Sequence, residues 1–187
     1  MIRLIGMSGS LRSGSYSNAV LETLREKFSG RAEIAIWDLG TIPLYNQDFE
    51  GEKRPAPVKA LLSAITESDG LVLCAPEFNH SIPGVLKNAL DWASRPYGCS
   101  VLRGKPVLTM TTSPAFTGGV RAQQQMNETL ASIPARPVLR PQIVIGSVHE
   151  KVSDGRIVDE ATLRFALAGV DDLLDEIRAA RFVRAAA

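Results

Sequence analysis

Gly70-Leu-Val-Leu-Cys-Ala75, then Pro76-Glu-Phe-Asn-His-Ser-Ile-Pro83, then Gly84-Val-Leu-Lys-Asn-Ala-Leu-Asp-Trp92 is the stretch on which the fold turns. Its first segment is apolar without the alternation of a half-solvated strand, so it reads as a strand covered on both faces, the habit of parallel sheets. Pro76 stops that strand, because proline has no N–H to give to a ladder. Pro83 then opens a helix running through Trp92, since proline is favoured at the first helical positions. A buried strand, a short loop and a helix in that order form half of a βαβ unit.

The same alternation continues outward in both directions. Toward the N-terminus lie a helix over Val58 to Thr66, a long loop from Gly40 to Pro57 and a strand over Glu33 to Leu39. Before them, Val20, Leu21, Leu24 and Phe28 recur at helical spacing within Asn18 to Phe28, and Ile2 to Met7 is an apolar run ending in Ser8-Gly-Ser. Toward the C-terminus follow a strand over Val107 to Thr112, a helix over Gly119 to Ala131 and a fifth strand over Val138 to Ile145. A long helix closes the chain from about Glu160 to Val183, amphipathic through Leu163, Leu167, Val170, Leu174 and Ile177. Five apolar strands alternating with helices predict an α/β three-layer sandwich with one five-stranded parallel sheet. The flavodoxin-like order 2-1-3-4-5 suits five strands, and 1–187 reads as a single domain. That topology places ligands outside the carboxyl ends of the strands, so chemistry is expected in the loops after strands one, three and four.

Composition narrows the function. The 187 residues suffice for one core, and 45% hydrophobic with 22% charged residues is ordinary for a globular chain. Twenty-one basic side chains against twenty acidic ones leave a net charge of +1, which offers no basic surface for nucleic acid or an anionic membrane. Cys74 and Cys99 are far apart and form no C-x-x-C pair, so a reducing, cytoplasmic compartment is expected. No signal peptide is read at Met1-Ile-Arg-Leu-Ile-Gly, and no run approaches the ~20 apolar residues that span a bilayer. Two lone histidines and two separated cysteines give no metal-ligand cluster. A hydrolase would want a Gly-x-Ser-x-Gly elbow, which is missing, and only His80 and His149 offer a base. Gly98 to Lys105 imitates a phosphate loop, but Pro106 stands where Ser or Thr is needed and a strand follows it.

Three loops remain. Gly9-Ser-Leu-Arg-Ser-Gly-Ser-Tyr-Ser-Asn18 carries hydroxyls at Ser10, Ser13, Ser15 and Ser17, the Arg12 guanidinium and the Asn18 amide, with no acid before Glu22. Leading into a helix N-terminus, it suits an anionic phosphate, which the outward N–H groups and the helix dipole favour. The same run also reads as a Ser/Gly turn with Ser17 or Asn18 as the helix cap, and both readings stand on the residues alone. In the second loop Glu77 and Asn79 offer polar atoms and Phe78 a flat apolar face between fixed prolines, a combination that suits a tricyclic flavin. An ordinary connection with Phe78 in the core is the alternative there. The third loop, Thr111 to Arg121, is rich in hydroxyls and places Ser113 to reach the same ligand; its Gly118-Gly119 equally eases a sharp turn.

The runs Gly9-Ser-Leu-Arg12 with Ser17-Asn18, Pro76 to Pro96, and Gly118-Gly-Val-Arg-Ala-Gln123 resemble the NADPH-dependent FMN reductase family, which includes bacterial quinone and chromate reductases. The resemblance covers nearly the whole chain. It implies non-covalently bound FMN, NAD(P)H as co-substrate and assembly as a homodimer or homotetramer. By position it implies that Ser10, Arg12, Ser17, Asn18 and Ala19 hold the FMN phosphate, that Pro76, Glu77, Phe78 and Asn79 flank the ring, and that Ser113 closes the far side. Arg121 is similar to a family arginine near the flavin and the subunit interface. Pro114-Ala115 and Gln124 depart from the family pattern, which bears on acceptor preference and interface detail rather than on the flavin.

The implied activity is reduction of small acceptors (quinones, flavin, chromate, azo or nitro compounds) by ping-pong hydride transfer through FMN. No side chain is placed by sequence to act as general acid or base. Two other roles use the same cofactor: a flavin reductase feeding reduced FMN to a partner, and a flavodoxin-type electron carrier. Near-neutral charge speaks against the carrier, since such carriers tend to be strongly acidic.

Overall fold

The computed structural model describes residues 1–186. In chain order the elements are β1 Ile2–Ser8, α1 Tyr16–Lys27, β2 Ala32–Trp37, α2 Ala56–Glu67, β3 Gly70–Pro76, α3 Gly84–Ala93, β4 Pro106–Thr112 and α4 Val120–Ser132. They continue with β5 Arg136–Pro137, β6 Ile143–Ile145, the single turn α5 Val148–Lys151, β7 Val152–Ser153, β8 Arg156–Ile157 and α6 Glu160–Ala186. The main sheet runs β2-β1-β3-β4-β5, with β6 also pairing on β4, and every ladder in it is parallel. This is the expected flavodoxin-like order.

Successive side chains of a strand point to opposite faces, and both faces here are covered. Leu71 and Leu73 of β3 face α2, α3 and α4, meeting Val58, Leu61, Leu86, Leu90 and Met126. Val72 and Cys74 face α1 and α6, meeting Val20, Leu24, Val170 and Leu174. Each such fully buried Leu or Val contributes about 1.5–3 kcal/mol, which is why β3 reads as a continuous apolar run.

Register brings the strand ends level. Met7 pairs with Trp37, Ser8 with Cys74, Pro76 with Thr112, and Thr112 with Ile145. The three loops singled out above therefore leave one edge of the sheet together.

Two expectations about boundaries change. The fifth strand is two short segments, β5 and β6, on the same edge of β4. Pro137 and Pro141 cannot donate to a ladder, although Val138 N–H still reaches Val107 O at 2.9 Å. Between them Arg140 tucks under α6 with its side chain 7% exposed, bonded to Asp172 at 2.7 Å. Gly169 makes the room: a Cβ there would lie 2.8 Å from Arg140 Nη1. The cap of α1 is Ser15 rather than Ser17 or Asn18, its hydroxyl accepting the Asn18 N–H at 3.3 Å.

The long connection after β2 contains three single-turn 3-10 helices, Leu39–Thr41, Gln47–Phe49 and Gly51–Lys53. Asn88 and Trp92 of α3 hold it. Asn88 Oδ1 accepts the Tyr45 N–H at 2.7 Å, and Trp92 Nε1 donates to Pro43 O at 2.8 Å. Both side chains are buried, so these bonds satisfy groups that would otherwise be costly. Among the described residues no helix is long and apolar enough to cross a membrane.

Candidate functional site

The first loop approaches the end of β3 closely. Gly9 N–H bonds Cys74 O at 2.9 Å, and a Cβ on Gly9 would lie 2.8 Å from Ala75 Cβ. Glycine is needed there because backbone must pass directly over backbone. The chain then turns through Arg12 to Ser15 and enters α1, whose first turn has no acid and whose last turn carries Arg25 and Lys27. That charge order suits the macrodipole and leaves its positive end unopposed. With Ser15 serving only Asn18, the N–H groups of Ser13, Gly14, Tyr16 and Ser17 have no partner among the described residues.

The expected phosphate residues divide. Ser10 and Asn18 are half-buried and Ala19 is buried, and all three line a cleft. Arg12 is exposed and lies over the Tyr16 ring, 5.4 Å from its centroid. Ser17 is different: its hydroxyl is 2.9 Å from Thr112 Oγ1 in the core and tethers α1 to the end of β4. It also hydrogen-bonds Cys74, whose thiol burial pushes up to about 12 despite that bond. With its hydroxyl engaged by Thr112, the N–H is the group of Ser17 left without a partner among the described residues.

In the second loop Asn79 and His80 have φ of 50° and 65°, and Phe78 and Ser81 exchange N–H···O bonds of 3.0 Å. This is a mirror-image two-residue turn, for which Asn is among the few suitable non-glycine residues. It leaves Phe78 53% exposed on the strand-end edge rather than folded into the core. Glu77 points toward the third loop. Its Oε2 accepts the N–H groups of Arg121 and Ala122 at 3.0 and 3.1 Å, capping α4 where Gly119 has no side chain to do so. Arg121 keeps its guanidinium at the surface, 4.0 Å from the same carboxylate. Ser113 is half-buried and accepts the Ala115 N–H at 3.1 Å.

Sequence reading missed part of the site. The cleft beside the first loop has a volume of about 710 Å³, and its far walls are Trp37, Asp38, Gly40 and the tip of the β7–β8 hairpin. Asp154-Gly155, with φ of 49° and 71°, is the Asp-Gly pair typical of a tight hairpin, flanked by Val152 and Ile157. Arg156 fastens the hairpin to α1 through Nε and Nη2 on Glu26 at 2.8 and 2.5 Å. That bond holds the Glu26 carboxyl below its usual range.

The donor set fits a mononucleotide. Unpaired N–H groups and hydroxyls offer a phosphate site, and a flat apolar side chain is exposed on the same edge. The comparisons agree with this geometry. A family model described as NADPH-dependent FMN reductase matches residues 2–150. The quinone reductase of Escherichia coli K12 is 37% identical over 166 residues, covering 87% of this chain and 88% of the relative. An NAD(P)H-dependent FMN reductase of Pseudomonas aeruginosa is 37% identical over 160 residues, 85% and 86% of the two chains. Among solved structures, the flavoenzyme NAD(P)H:(acceptor) oxidoreductase FerB from Paracoccus denitrificans superposes with a TM-score of 0.86 at 32% identity, covering 96% of this chain and 98% of that one.

Proposed function

The chain belongs to the NADPH-dependent FMN reductase family, and from that premise we propose that it takes reducing equivalents from NAD(P)H and delivers them to quinones or related small acceptors. The observation that carries this reading is the shared edge: open N–H groups of the first loop and the exposed Phe78 of the second lie at neighbouring strand ends. FMN, when bound, supplies the hydride and electron chemistry.

The protein's part is to bind and to position. The N–H groups around α1, the Ser10 hydroxyl, Arg12 and Asn18 hold the phosphate by charge-assisted hydrogen bonds, and Ala19 keeps that wall small. Ser17 contributes its N–H, while its hydroxyl fixes the helix against Thr112. Pro76, Phe78 and Asn79 flank the ring, and Ser113 closes the opposite side. Glu77 works beside them by capping α4, which sets the third loop. No side chain is assigned a proton-transfer role.

One open face beside Phe78 serves donor and acceptor in turn, so turnover is ping-pong. The relative named a quinone reductase supports quinones as acceptors; flavin, chromate and azo or nitro compounds suit the same open face. Residues 1–187 act as one FMN-binding domain, assembled as a homodimer or homotetramer in the cytoplasm.

The test is a visible spectrum of the purified protein before and after anaerobic NAD(P)H. Flavin bands that bleach support the reading; a colourless protein that neither binds nor reduces added FMN overturns it. With a quinone as acceptor, double-reciprocal plots should be parallel, and intersecting lines would reject ping-pong exchange.

A further inference from the structure

The cleft beside the first loop is larger than the proposed FMN site needs. Pro76 to Asn79 and Ser113 do not line it, so the ring lies elsewhere, and a phosphate at Ser10, Asn18 and Ala19 occupies only one rim. The rest of the ~710 Å³ is bounded by the end of β2 and by the β7–β8 hairpin, and the volume is that of a small-molecule site. The hairpin lies beyond the residues 2–150 that match the family model.

Three observations describe what would fill that space. Leu11, Tyr16, Trp37 and Leu39 give it apolar walls, suited to a flat ring. Asp38 stands at the carboxyl end of β2, just past the Met7–Trp37 pair that sets β2 beside β1. Its Oδ1 accepts the Gly40 N–H at 2.8 Å, which orients the carboxylate, and Oδ2 has no partner among the described residues. A carboxylate oxygen left free at the end of the second parallel strand, beside apolar walls, is placed to accept the hydroxyls of a ribose. The third observation is charge. Asp38 and Asp154 line the cleft without an ion-pair partner among the described residues, Glu22 beside them is paired with Arg25, and the lining arginine, Arg156, is gripped by Glu26.

We propose that this cleft holds the adenosine end of NADH, with Asp38 binding the ribose diol and the acidic walls rejecting a ribose that carries a 2′-phosphate. The inference rests on the reductase reading and deepens it, because it makes NADH the preferred donor over NADPH. Like charges facing each other across a binding site act as the repulsive element of specificity.

The experiment is calorimetric titration of the FMN-loaded protein with ADP-ribose and with 2′-phospho-ADP-ribose, neither of which carries a nicotinamide. ADP-ribose should bind about tenfold more tightly or better, a difference of about 1.4 kcal/mol. Asp38→Asn keeps the shape and should weaken ADP-ribose by a similar factor, and Asp154→Asn, which keeps a residue suited to the left-handed turn, should improve the 2′-phosphorylated ligand. Equal or tighter binding of the 2′-phosphorylated ligand overturns the proposal, as does an Asp38→Asn variant that binds ADP-ribose unchanged. A yellow protein, reduced by NADH, that fails to bind ADP-ribose refutes this cleft assignment and leaves the reductase reading intact. A colourless protein refutes the reductase reading, and the assignment falls with it.

Discussion

At Gly9 the first loop leaves β1 with a hydrogen atom facing the end of β3, and the distance to Ala75 leaves no space for a methyl group. Gly9→Ala must push two neighbouring strand ends apart, an overpacking cost of about 1–3 kcal/mol. Urea unfolding should read that loss, and a change under about 0.5 kcal/mol would place Gly9 outside any close contact. The two cysteines make a second residue-scale contrast. Cys74 is fully buried with its thiol pushed up to about 12, whereas Cys99 is exposed. The thiolate is the reactive form, so a thiol reagent at mildly alkaline pH should modify Cys99 in the native protein and reach Cys74 only in denaturant. Mass mapping of the two peptides separates these outcomes, and rapid native labelling of Cys74 would contradict the packing around Ser17 and Thr112.

The β7–β8 hairpin is the element whose attachment depends on charge. Its Ile157 N–H donates to Thr23 Oγ1 at 3.1 Å, and Arg156 is held by Glu26. The bond to Arg156 depresses the Glu26 pKa, so the contribution is complete above the ordinary carboxylate range and is lost as pH falls through the lower folded value. Protection factors for the Ile157 amide should accordingly drop in acid in the wild type. In Glu26→Gln they should already be low at neutral pH, and protection that is insensitive to both changes would show that Thr23 alone docks the hairpin. At this scale the sequence was legible wherever apolar pattern and length agreed, as in β1, β3, β4, α3 and α6. It misled over the fifth strand, because Pro141 sits inside an otherwise strand-like run. Among four hydroxyls near the start of α1, nothing local marks Ser15 as the cap. The Asp154-Gly155 turn did carry a readable signal, flanked by single apolar residues rather than full strands. The cleft was not legible at all, since residues near 16–22, 36–40 and 152–156 become neighbours only after folding.

For the whole molecule, the two cores lie beneath the strand-end edge and contain neither Ser10, Arg12 nor Phe78. The apoprotein should therefore fold without FMN, and ligand should add stability by mass action. At a free FMN concentration about 100 times its Kd, that gain is about 2.7 kcal/mol. A chain of this size gains roughly 2–4 °C in Tm per kcal/mol, which makes the expected shift about 5–10 °C. Riboflavin, which has the ring without the phosphate, should shift Tm much less if the open N–H groups around α1 supply much of the affinity. Arg12→Ala removes an exposed side chain from the first loop, so it should leave the apoprotein Tm nearly unchanged while reducing the FMN shift. Equal shifts from riboflavin and FMN would move the binding energy to the ring and away from the first loop. An Arg12→Ala apoprotein that melts several degrees lower would instead make that arginine part of the scaffold, through its packing over Tyr16.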